Sequence, residues 1–203
     1  MSAPPRVVRL DSGGANLGSV KAAFARLGVE APVTADPGTI RAATHVVLPG
    51  VGDASVCMAR LRENGLDALI PNLAQPLIGI CVGMQLLFER SREGDTACLG
   101  LLQGAVERLP ASPGIRIPHM GWNRLDATTA GAAHLLLDGL AGASVYFVHS
   151  YAALPSADTL ATTTHCAPFS AVVARGRVMG AQFHPERSSE AGARLLRNFL
   201  SRS

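Results

Sequence analysis

The first half of the chain alternates short apolar segments with segments of helical periodicity. Buried strands are predicted for the apolar runs at residues 6–10, 30–34, 45–48 and 77–80. Helices are predicted between them, over about residues 16–27, 53–63 and 83–90. This alternation is typical of a parallel sheet covered by helices on both faces. We therefore expect an α/β fold with a mostly parallel, mixed sheet flanked by helices.

The second half of the chain has shorter apolar runs that are separated by turns. They predict strands at residues 105–109, 115–117, 145–148, 171–174 and 178–183. Arg175-Gly176-Arg177 between the last two resembles a hairpin turn, and a helix is predicted over residues 189–200. Asn16 can cap the first helix of the chain, and Gly28 can end it. Because neither a repeat nor a linker interrupts the sequence, we predict one domain over residues 1–203.

The composition argues against several classes of function. The formal net charge is +3, Lys21 is the only lysine, and no basic run is interleaved with aromatic residues, so nucleic acid is not an expected partner. No apolar run approaches the roughly 20 residues that cross a bilayer, and the start of the chain lacks the pattern of a secretory signal. The four cysteines show no paired spacing of the metal or redox type. We expect a cytoplasmic protein with reduced thiols and no metal.

The most informative segment places a cysteine between two glycines at a strand-to-helix junction. Gly79-Ile80-Cys81-Val82-Gly83 follows an apolar run and precedes a predicted helix. This is the spacing of a nucleophile elbow, with sulfur in place of the serine oxygen. Glycines two residues away remove side chains that would collide in so tight a turn. The free amides at the start of the helix, that of Val82 first, favour a thiolate and can donate to an oxyanion. By itself, the motif is also compatible with a buried cysteine in a glycine-rich turn.

A second motif, His184-Pro185-Glu186, supplies a candidate base and its carboxylate. Residues two apart in an extended segment point to the same side, and Pro185 keeps His184 out of the helical region. Glu186 can then orient the imidazole and stabilise its charged form. His184 also follows a predicted strand, where sheets of this kind tend to place active residues. A lone His-x-Glu could be a surface pair, but together with an elbow cysteine it predicts a Cys81–His184–Glu186 triad.

A glycine-containing loop, Pro49-Gly50-Val51-Gly52, ends the third predicted strand. Its glycines let the backbone approach a ligand closely and allow a peptide plane to flip. We expect this loop to supply a second oxyanion donor through the amides of Val51 and Gly52. An ordinary strand-to-helix turn is the alternative.

Taken together, these motifs resemble the class I, or triad, glutamine amidotransferases. The segments that carry the resemblance are Leu48-Pro49-Gly50-Val51-Gly52, Gly79-Ile80-Cys81-Val82-Gly83-Met84-Gln85 and Gln182-Phe183-His184-Pro185-Glu186. Two more, Pro118-His119-Met120-Gly121-Trp122-Asn123 and Tyr146-Phe147-Val148-His149-Ser150-Tyr151, narrow it to the glutaminase subunits of imidazole glycerol phosphate synthases. The resemblance extends from about Val7 to Phe199.

The resemblance implies a role for several residues, as well as a fold and a partner. Cys81 matches the nucleophile, His184 the base and Glu186 its partner. Gly50, Gln85, Ser150 and Tyr151 match positions that hold glutamine. The family fold is flavodoxin-like, and no cofactor is implied. The implied partner is a cyclase subunit, a (β/α)₈ barrel, that forms a heterodimer with the glutaminase. It uses the ammonia to make imidazole glycerol phosphate and AICAR in histidine biosynthesis.

The sequence departs from the usual family pattern at three places. Ala15 replaces a glycine in a turn that faces the cyclase in the family, Arg187 stands where lysine is frequent, and Asp53-Ala54 replaces Ala-Phe. None of them belongs to the triad. They bear on the interface with the partner and not on the chemistry.

Other functions remain open from the sequence. A glutaminase of anthranilate, GMP or pyridoxal phosphate synthesis would share the triad, although Met84 argues against the first two, where histidine is usual. A non-catalytic subunit on the same fold and a free-standing thiol hydrolase are further alternatives. A glutaminase assay with the cyclase present distinguishes these possibilities.

Overall fold

The structure is a computed structural model that describes residues 4–13 and 17–202. The strands in these residues are Val7–Leu10 (β1), Val33–Thr34 (β2), His45–Gly50 (β3), Leu77–Cys81 (β4), Arg90–Ser91 (β5), Thr96–Ala97 (β6), Ala105–Arg108 (β7), His119–Arg124 (β8), Asp126–Ala127 (β9), Ser144–His149 (β10), Tyr151–Ala153 (β11), Thr159–His165 (β12), Ala167–Arg175 (β13) and Val178–Ala181 (β14). The α-helices are Leu17–Ala25 (α1), Pro37–Ala42 (α2), Ala54–Glu63 (α3), Leu66–Leu69 (α4), Val82–Gln85 (α5), Thr129–Ala132 (α6) and Ser189–Leu200 (α7).

The main sheet is mixed, as predicted. In the described residues its order is β2-β1-β3-β4-β14-β13-β12-β9. The first five strands run parallel, and the last three pair antiparallel. Strands β1, β3, β4 and β14 are buried along their whole length, which is typical of strands covered on both faces. Consequently, the carboxyl ends of β3, β4 and β14 lie side by side.

Two smaller sheets stand beside the main sheet. Strands β10 and β8 pair antiparallel, and β11, β7, β5 and β6 form the other sheet. The chain passes from one to the other at Ser150, between β10 and β11. This crossing brings the segment around Ser150 to the carboxyl ends of the parallel strands.

The predicted helix boundaries are confirmed where end signals are strong. The side chain of Asp53 accepts a hydrogen bond from the Ser55 amide at the start of α3, and the helix ends at Asn64-Gly65. Helix α7 covers residues 189–200 and buries Leu195, Leu196 and Phe199 on one face. Gly176, with φ 57°, turns the hairpin between β13 and β14. The predicted cap of the first helix, Asn16, lies outside the described residues, as does Ala15.

The predicted helix over residues 83–90 is wrong beyond its first turn. Helix α5 ends at Gln85, and Arg90 belongs to strand β5. The carbonyls of Leu86 and Leu87 accept hydrogen bonds from the amides of Leu99 and Leu101. A distant segment thus takes the acceptors that a longer helix would have used.

The predicted strand at residues 115–117 is also wrong. Ile115 makes only an isolated bridge to Ser112, and the strand begins after Pro118, at His119. The predicted strand at 30–34 is reduced to β2, Val33–Thr34. Helix α2, although marked by Asp36 as cap and Pro37 at its first position, was not predicted, and neither was strand β12.

None of the described helices is long and apolar enough to span a bilayer.

Candidate active site

Cys81 occupies a strained turn between β4 and α5. It ends the strand and takes the cap position of the helix, with φ 53° and ψ −114°. Positive φ is uncommon for a residue with a side chain, and strained residues of this kind concentrate at functional sites. The predicted elbow is therefore present, and it places the Cys81 sulfur next to the first amides of α5, those of Val82 and Gly83.

Close backbone contacts explain the glycines around the elbow. A Cβ atom added to Gly79 would lie 2.5 Å from the Gly83 carbonyl oxygen, and one added to Gly83 would overlap the Leu48 carbonyl. Gly50, in β3, is opposite Cys81 in the sheet, and a Cβ there would lie 2.5 Å from the Gly83 nitrogen. Any side chain at these positions would push α5 away from the sheet and displace Cys81.

His184 and Glu186 face each other just after β14. Pro185–Arg187 form a single 3₁₀ turn, and His184 Nδ1 lies 2.8 Å from Glu186 Oε1. The His184 amide donates to the Tyr146 carbonyl, and Ser188 Oγ donates to the His184 carbonyl, so the backbone is fixed on both sides. Since a carboxylate only accepts, Nδ1 carries the proton and Nε2 is the ring nitrogen left for chemistry. Nε2 is buried and has no hydrogen bond of standard geometry among the described residues, although the Cys81 side chain is near enough to affect its protonation.

The environment of His184 favours the imidazolium. Burial alone would lower its pKa, but hydrogen bonding to Cys81 and Glu186 and the charges of these groups outweigh burial and raise the pKa to about 10. The ring is therefore a proton donor at neutral pH, stabilised by the adjacent sulfur and carboxylate.

A cavity of about 420 Å³ opens at the carboxyl ends of β3 and β4. Cys81 and His184 line it, together with the predicted residues Val51, Gly52, Val82, Gln85, Ser150 and Tyr151. Gly50 lies behind the elbow and is not among the lining residues, so direct contact with a substrate stays a prediction for it. The arrangement combines a nucleophile, an acid–base group and backbone amides around one pocket, whose volume lies in the usual range for sites that bind small molecules.

The loop after β3 closes one side of this cavity. Gly52 adopts φ 88°, a conformation that strongly favours glycine. The Cys57 thiol donates to the Val51 carbonyl at 3.7 Å, and Asp53 begins helix α3 directly afterwards. Burial raises the pKa of Cys57 to about 11, which keeps this thiol protonated.

Comparison with known families agrees with this geometry. A family model described as "Glutamine amidotransferase class-I" matches residues 8–203. The chain belongs to this family. Solved structures share the fold: "Crystal structure of glutamine amidotransferase" has a TM-score of 0.73 at 23% identity, covering 96% of this chain and 97% of that one. "Structure of PurLQS from Thermotoga maritima" has a TM-score of 0.70 at 17% identity, covering 98% of each chain.

More similar relatives narrow the assignment within the class I amidotransferases. The chain is 56% identical over 198 residues to "Imidazole glycerol phosphate synthase subunit HisH" of Xanthomonas oryzae pv. oryzae (strain MAFF 311018), covering 97% of this chain and 98% of the relative. It is 54% identical over 194 residues to the protein of the same name from Xylella fastidiosa (strain Temecula1), covering 96% of each. The chain therefore also belongs to the HisH family of synthase subunits.

The cavity of this amidotransferase contains charged residues that sequence reasoning did not assign. Glu93 lines it and accepts a hydrogen bond from the Ala54 amide at 2.9 Å. Burial raises the pKa of the Glu93 carboxyl, although that hydrogen bond acts in the opposite direction. Arg187 also lines the cavity, and its guanidinium carbon lies 4.6 Å from the centre of the Tyr146 ring. Glu93 belongs to no recognisable motif, and it begins the 3₁₀ turn Glu93–Asp95 that follows β5.

A pair of buried imidazoles forms another wall of the amidotransferase site. His149 lines the cavity, and its Nε2 lies 3.2 Å from His119 Nδ1. Burial is the main cause that lowers the pKa of His149 to about 3 and that of His119 to about 4. Both rings are therefore neutral at physiological pH. Across the described chain, no group of three or more His, Cys, Asp or Glu side chains is arranged to hold a metal ion.

Proposed function

We propose that this chain hydrolyses the side-chain amide of glutamine with Cys81 as nucleophile, His184 as acid and base, and Glu186 as the group that orients His184. The observation that carries the proposal is the shared cavity. The strained Cys81 lines it together with an imidazole whose Nδ1 is held 2.8 Å from a carboxylate. Family membership supports the same chemistry.

The reaction proceeds through a thioester. The Cys81 thiolate attacks Cδ of glutamine, and the carbonyl oxygen becomes an oxyanion. His184 Nε2–H protonates the leaving nitrogen, and the C–N bond breaks to release ammonia. Neutral His184 then takes a proton from water, which attacks the thioester to release glutamate and restore the Cys81–His184 pair. Glu186 stabilises the charged imidazole in both steps.

Backbone amides are suited to stabilise the oxyanion. The Val82 amide lies at the start of α5, where the first amides have no partner within the helix. The amides of Val51 and Gly52 belong to the loop on the other side of Cys81, and we propose that one of them is the second donor. Because the loop contains glycines, a peptide flip could turn this donor towards or away from the substrate.

Polar groups around the cavity match the ends of a glutamine molecule. Glu93, Ser150 and Tyr151 all line the cavity, and we assign the Glu93 carboxylate to the α-ammonium group and the segment of Ser150 and Tyr151 to the α-carboxylate. Gln85 Oε1 is buried and has no partner among the described residues, so it can accept from an N–H of the substrate. We propose that these residues align Cδ of glutamine with the Cys81 sulfur.

We further propose that the ammonia passes to a cyclase subunit, which forms imidazole glycerol phosphate and AICAR in histidine biosynthesis. The relatives are named as synthase subunits. Strand β8 also exposes two large apolar side chains, Met120 at 63% and Trp122 at 56%. Exposed aromatic and methionine side chains are enriched where proteins associate. This face, on the strand that follows Pro118 at the cavity wall, is the surface we assign to the cyclase.

The test compares glutamine and ammonia as nitrogen sources for the complex with the cyclase. Cys81→Ala should abolish glutamine-dependent synthesis and leave ammonia-dependent synthesis intact. Cys98→Ala is the matched control, because its thiol donates to the Thr96 carbonyl and does not line the cavity, and it should retain both activities. Normal glutaminase activity in Cys81→Ala would refute the assignment of the nucleophile.

The same assay tests the partner and the loop. Glutamine hydrolysis should be slow for the isolated chain and fastest for the complex with the cyclase ligand bound, because losing one oxyanion donor slows comparable enzymes by about 10²- to 10³-fold. Equal rates in all three states would refute gating by the loop. Failure of the cyclase to use the ammonia would refute the proposed partner.

A further inference from the structure

We infer that Gln182 is a positioning residue for the Cys81 sulfur, at the end of a directional hydrogen-bond chain that passes through Gln85 and the Tyr151 carbonyl. This inference rests on the proposed function of Cys81. Gln182 follows β14, its side chain is fully buried, and its Nε2 lies 3.8 Å from Cys81 Sγ. The triad mechanism assigns no role to this amide.

The direction of the hydrogen-bond chain follows from the Tyr151 carbonyl oxygen, which can only accept. The Tyr151 carbonyl oxygen lies 2.8 Å from the side-chain amide of Gln85, so Gln85 must present its NH₂ group there. The same NH₂ group lies 3.1 Å from the Gln182 amide, which must therefore present Oε1. The remaining NH₂ group of Gln182 then faces the sulfur. A flip of either amide would place two donors or two acceptors in contact.

A second branch fixes the Tyr151 carbonyl itself. His149 Nδ1 lies 2.9 Å from this oxygen, so Nδ1 carries the proton and Nε2 accepts from His119 Nδ1. The His119 ring is stacked between Phe147 and His165, with ring centres 4.8 and 4.1 Å away. The Tyr151 carbonyl thus accepts two hydrogen bonds from buried groups. The branch through Gln85 and the branch through His149 are therefore satisfied by one set of proton positions.

Burial makes this arrangement a fixed element of the site. Gln182 is 0% exposed and Gln85 is 2% exposed, so water does not compete for their amides. Leaving the Tyr151 carbonyl or Gln182 Oε1 without the Gln85 NH₂ group would be costly, so the orientation that makes both hydrogen bonds is the stable one. The Gln182 N–H is therefore aimed at the sulfur before substrate binds. A donor in this place stabilises the thiolate and holds Sγ in one position against the cavity.

Two replacements separate positioning of the sulfur from support of the fold. Gln182→Glu keeps an oxygen that can accept from Gln85 but replaces the donor facing Cys81 with a second oxygen. Gln182→Met keeps the length of the side chain and removes both hydrogen bonds. Gln75→Met is the control, since Gln75 also donates through its side-chain amide, at 2.7 Å to the Ile40 carbonyl, far from the cavity lining.

The measurements are glutamine turnover by the complex with cyclase and alkylation of Cys81 by iodoacetamide in the isolated chain. Both Gln182 variants should lower kcat for glutamine by about ten- to a hundredfold, with KM changed less than about threefold, because a hydrogen bond to a charged group is lost. Alkylation of Cys81, followed by mass spectrometry, should slow in parallel. Ammonia-dependent synthesis should stay at the wild-type rate, and Gln75→Met should match the wild type throughout.

Three outcomes decide the inference. Wild-type kcat and alkylation in Gln182→Glu would overturn it, because that variant keeps the acceptor for Gln85 and replaces the N–H donor that faces the sulfur. A loss in Gln182→Met but not in Gln182→Glu would overturn it too, because the amide would then serve only to hold Gln85. A loss of kcat in both variants, with ammonia-dependent synthesis intact, would establish it. If wild-type complex failed to hydrolyse glutamine, the proposed function itself would fall, independently of Gln182.

Discussion

Two histidines line the same cavity and are almost equally buried, yet their surroundings give them opposite charge. His184 is 4% exposed and His149 is 7% exposed. The pKa of His184 is raised to about 10, whereas that of His149 is lowered to about 3. Burial lowers the pKa in both places, so the partners make the difference. Glu186 and the Cys81 sulfur stabilise a charged ring, whereas the Tyr151 carbonyl and a neutral imidazole do not compensate for desolvation.

Within one site, the difference in pKa separates a histidine suited to proton transfer from a histidine that only positions its neighbours. The turn around His184 holds a group that can give and take a proton at neutral pH. The turn around His149 holds a neutral ring that acts only through its hydrogen bonds. Burial of a histidine therefore does not identify a catalytic group; a carboxylate on one ring nitrogen and a nucleophile near the other do.

The largest difference between the two histidines should appear when each is replaced by glutamine. This replacement keeps the capacity for hydrogen bonds and removes the titrating group. His184→Gln should lower kcat for glutamine hydrolysis by about 10²- to 10⁴-fold, the usual contribution of a general acid–base group. His149→Gln should cost less than about tenfold and act mainly on KM, through the segment at Tyr151. The measurement is glutamine turnover by the complex with cyclase, with ammonia-dependent synthesis as the control. Equal losses in kcat would mean that the two rings share the chemistry.

An intermediate effect is expected when His184 loses the partner that distinguishes it. Glu186→Gln keeps a hydrogen-bond acceptor for Nδ1 but removes the charge, so the pKa of His184 should fall from its value of about 10. We expect a loss of about ten- to a hundredfold in kcat, and the alkaline decline of activity should begin at lower pH than in the wild type. The pH profile of glutamine hydrolysis by the complex, followed as release of glutamate, measures this. An unchanged alkaline limb would contradict the role of Glu186.

The features that the sequence could predict are those that carry a local signature. Cys81, His184 and Glu186 carry local signatures: glycines two residues away, and a proline that keeps His184 and Glu186 on one side. Helices α3 and α7 likewise carry their own caps or a continuous apolar face. The predicted domain, the cytoplasmic location and the roles of the individual catalytic, oxyanion and substrate-binding residues stay predictions.

The features that were missed depend on partners distant in sequence. Gln182 meets Gln85 across 97 positions and Cys81 across 101 positions, and His149 meets His119 across 30. The early end of α5 has the same cause, because amides near Leu99 take the carbonyls that would have continued the helix. Such contacts cannot be predicted from the hydrophobic periodicity of a segment or from the residues that mark the ends of helices and strands.

The last expected effect concerns stability rather than activity, and it uses His119, whose ring lies within hydrogen-bond distance of His149. The folded-state pKa values of His119 and His149 are lowered to about 4 and about 3, below the value near 6.5 of the unfolded chain. Their contribution to the free energy of unfolding is therefore complete above pH 6.5 and is lost as pH falls towards 4 and 3. His184 has the opposite sign, since its contribution is complete below pH 6.5 and is lost as pH rises through about 10. From the imidazole pair, we expect the wild-type chain to lose about 4 kcal/mol of unfolding free energy between pH 7 and pH 5, about 2 kcal/mol for each ring.

His119→Phe tests this expectation, because phenylalanine can retain the ring stacking and removes one titrating group. The variant should be less stable at pH 7, where His149 Nε2 loses its donor, but it should lose about 2 kcal/mol less than the wild type between pH 7 and pH 5. Val145→Ala, at a fully buried position of the same strand as Phe147, is the control for simple destabilisation and should keep the wild-type pH difference. Urea unfolding of the isolated chains at the two pH values gives the comparison, and the contribution of His184 cancels in it. A pH difference in His119→Phe as large as that of the wild type would show that the imidazole pair is not what makes the chain acid-sensitive.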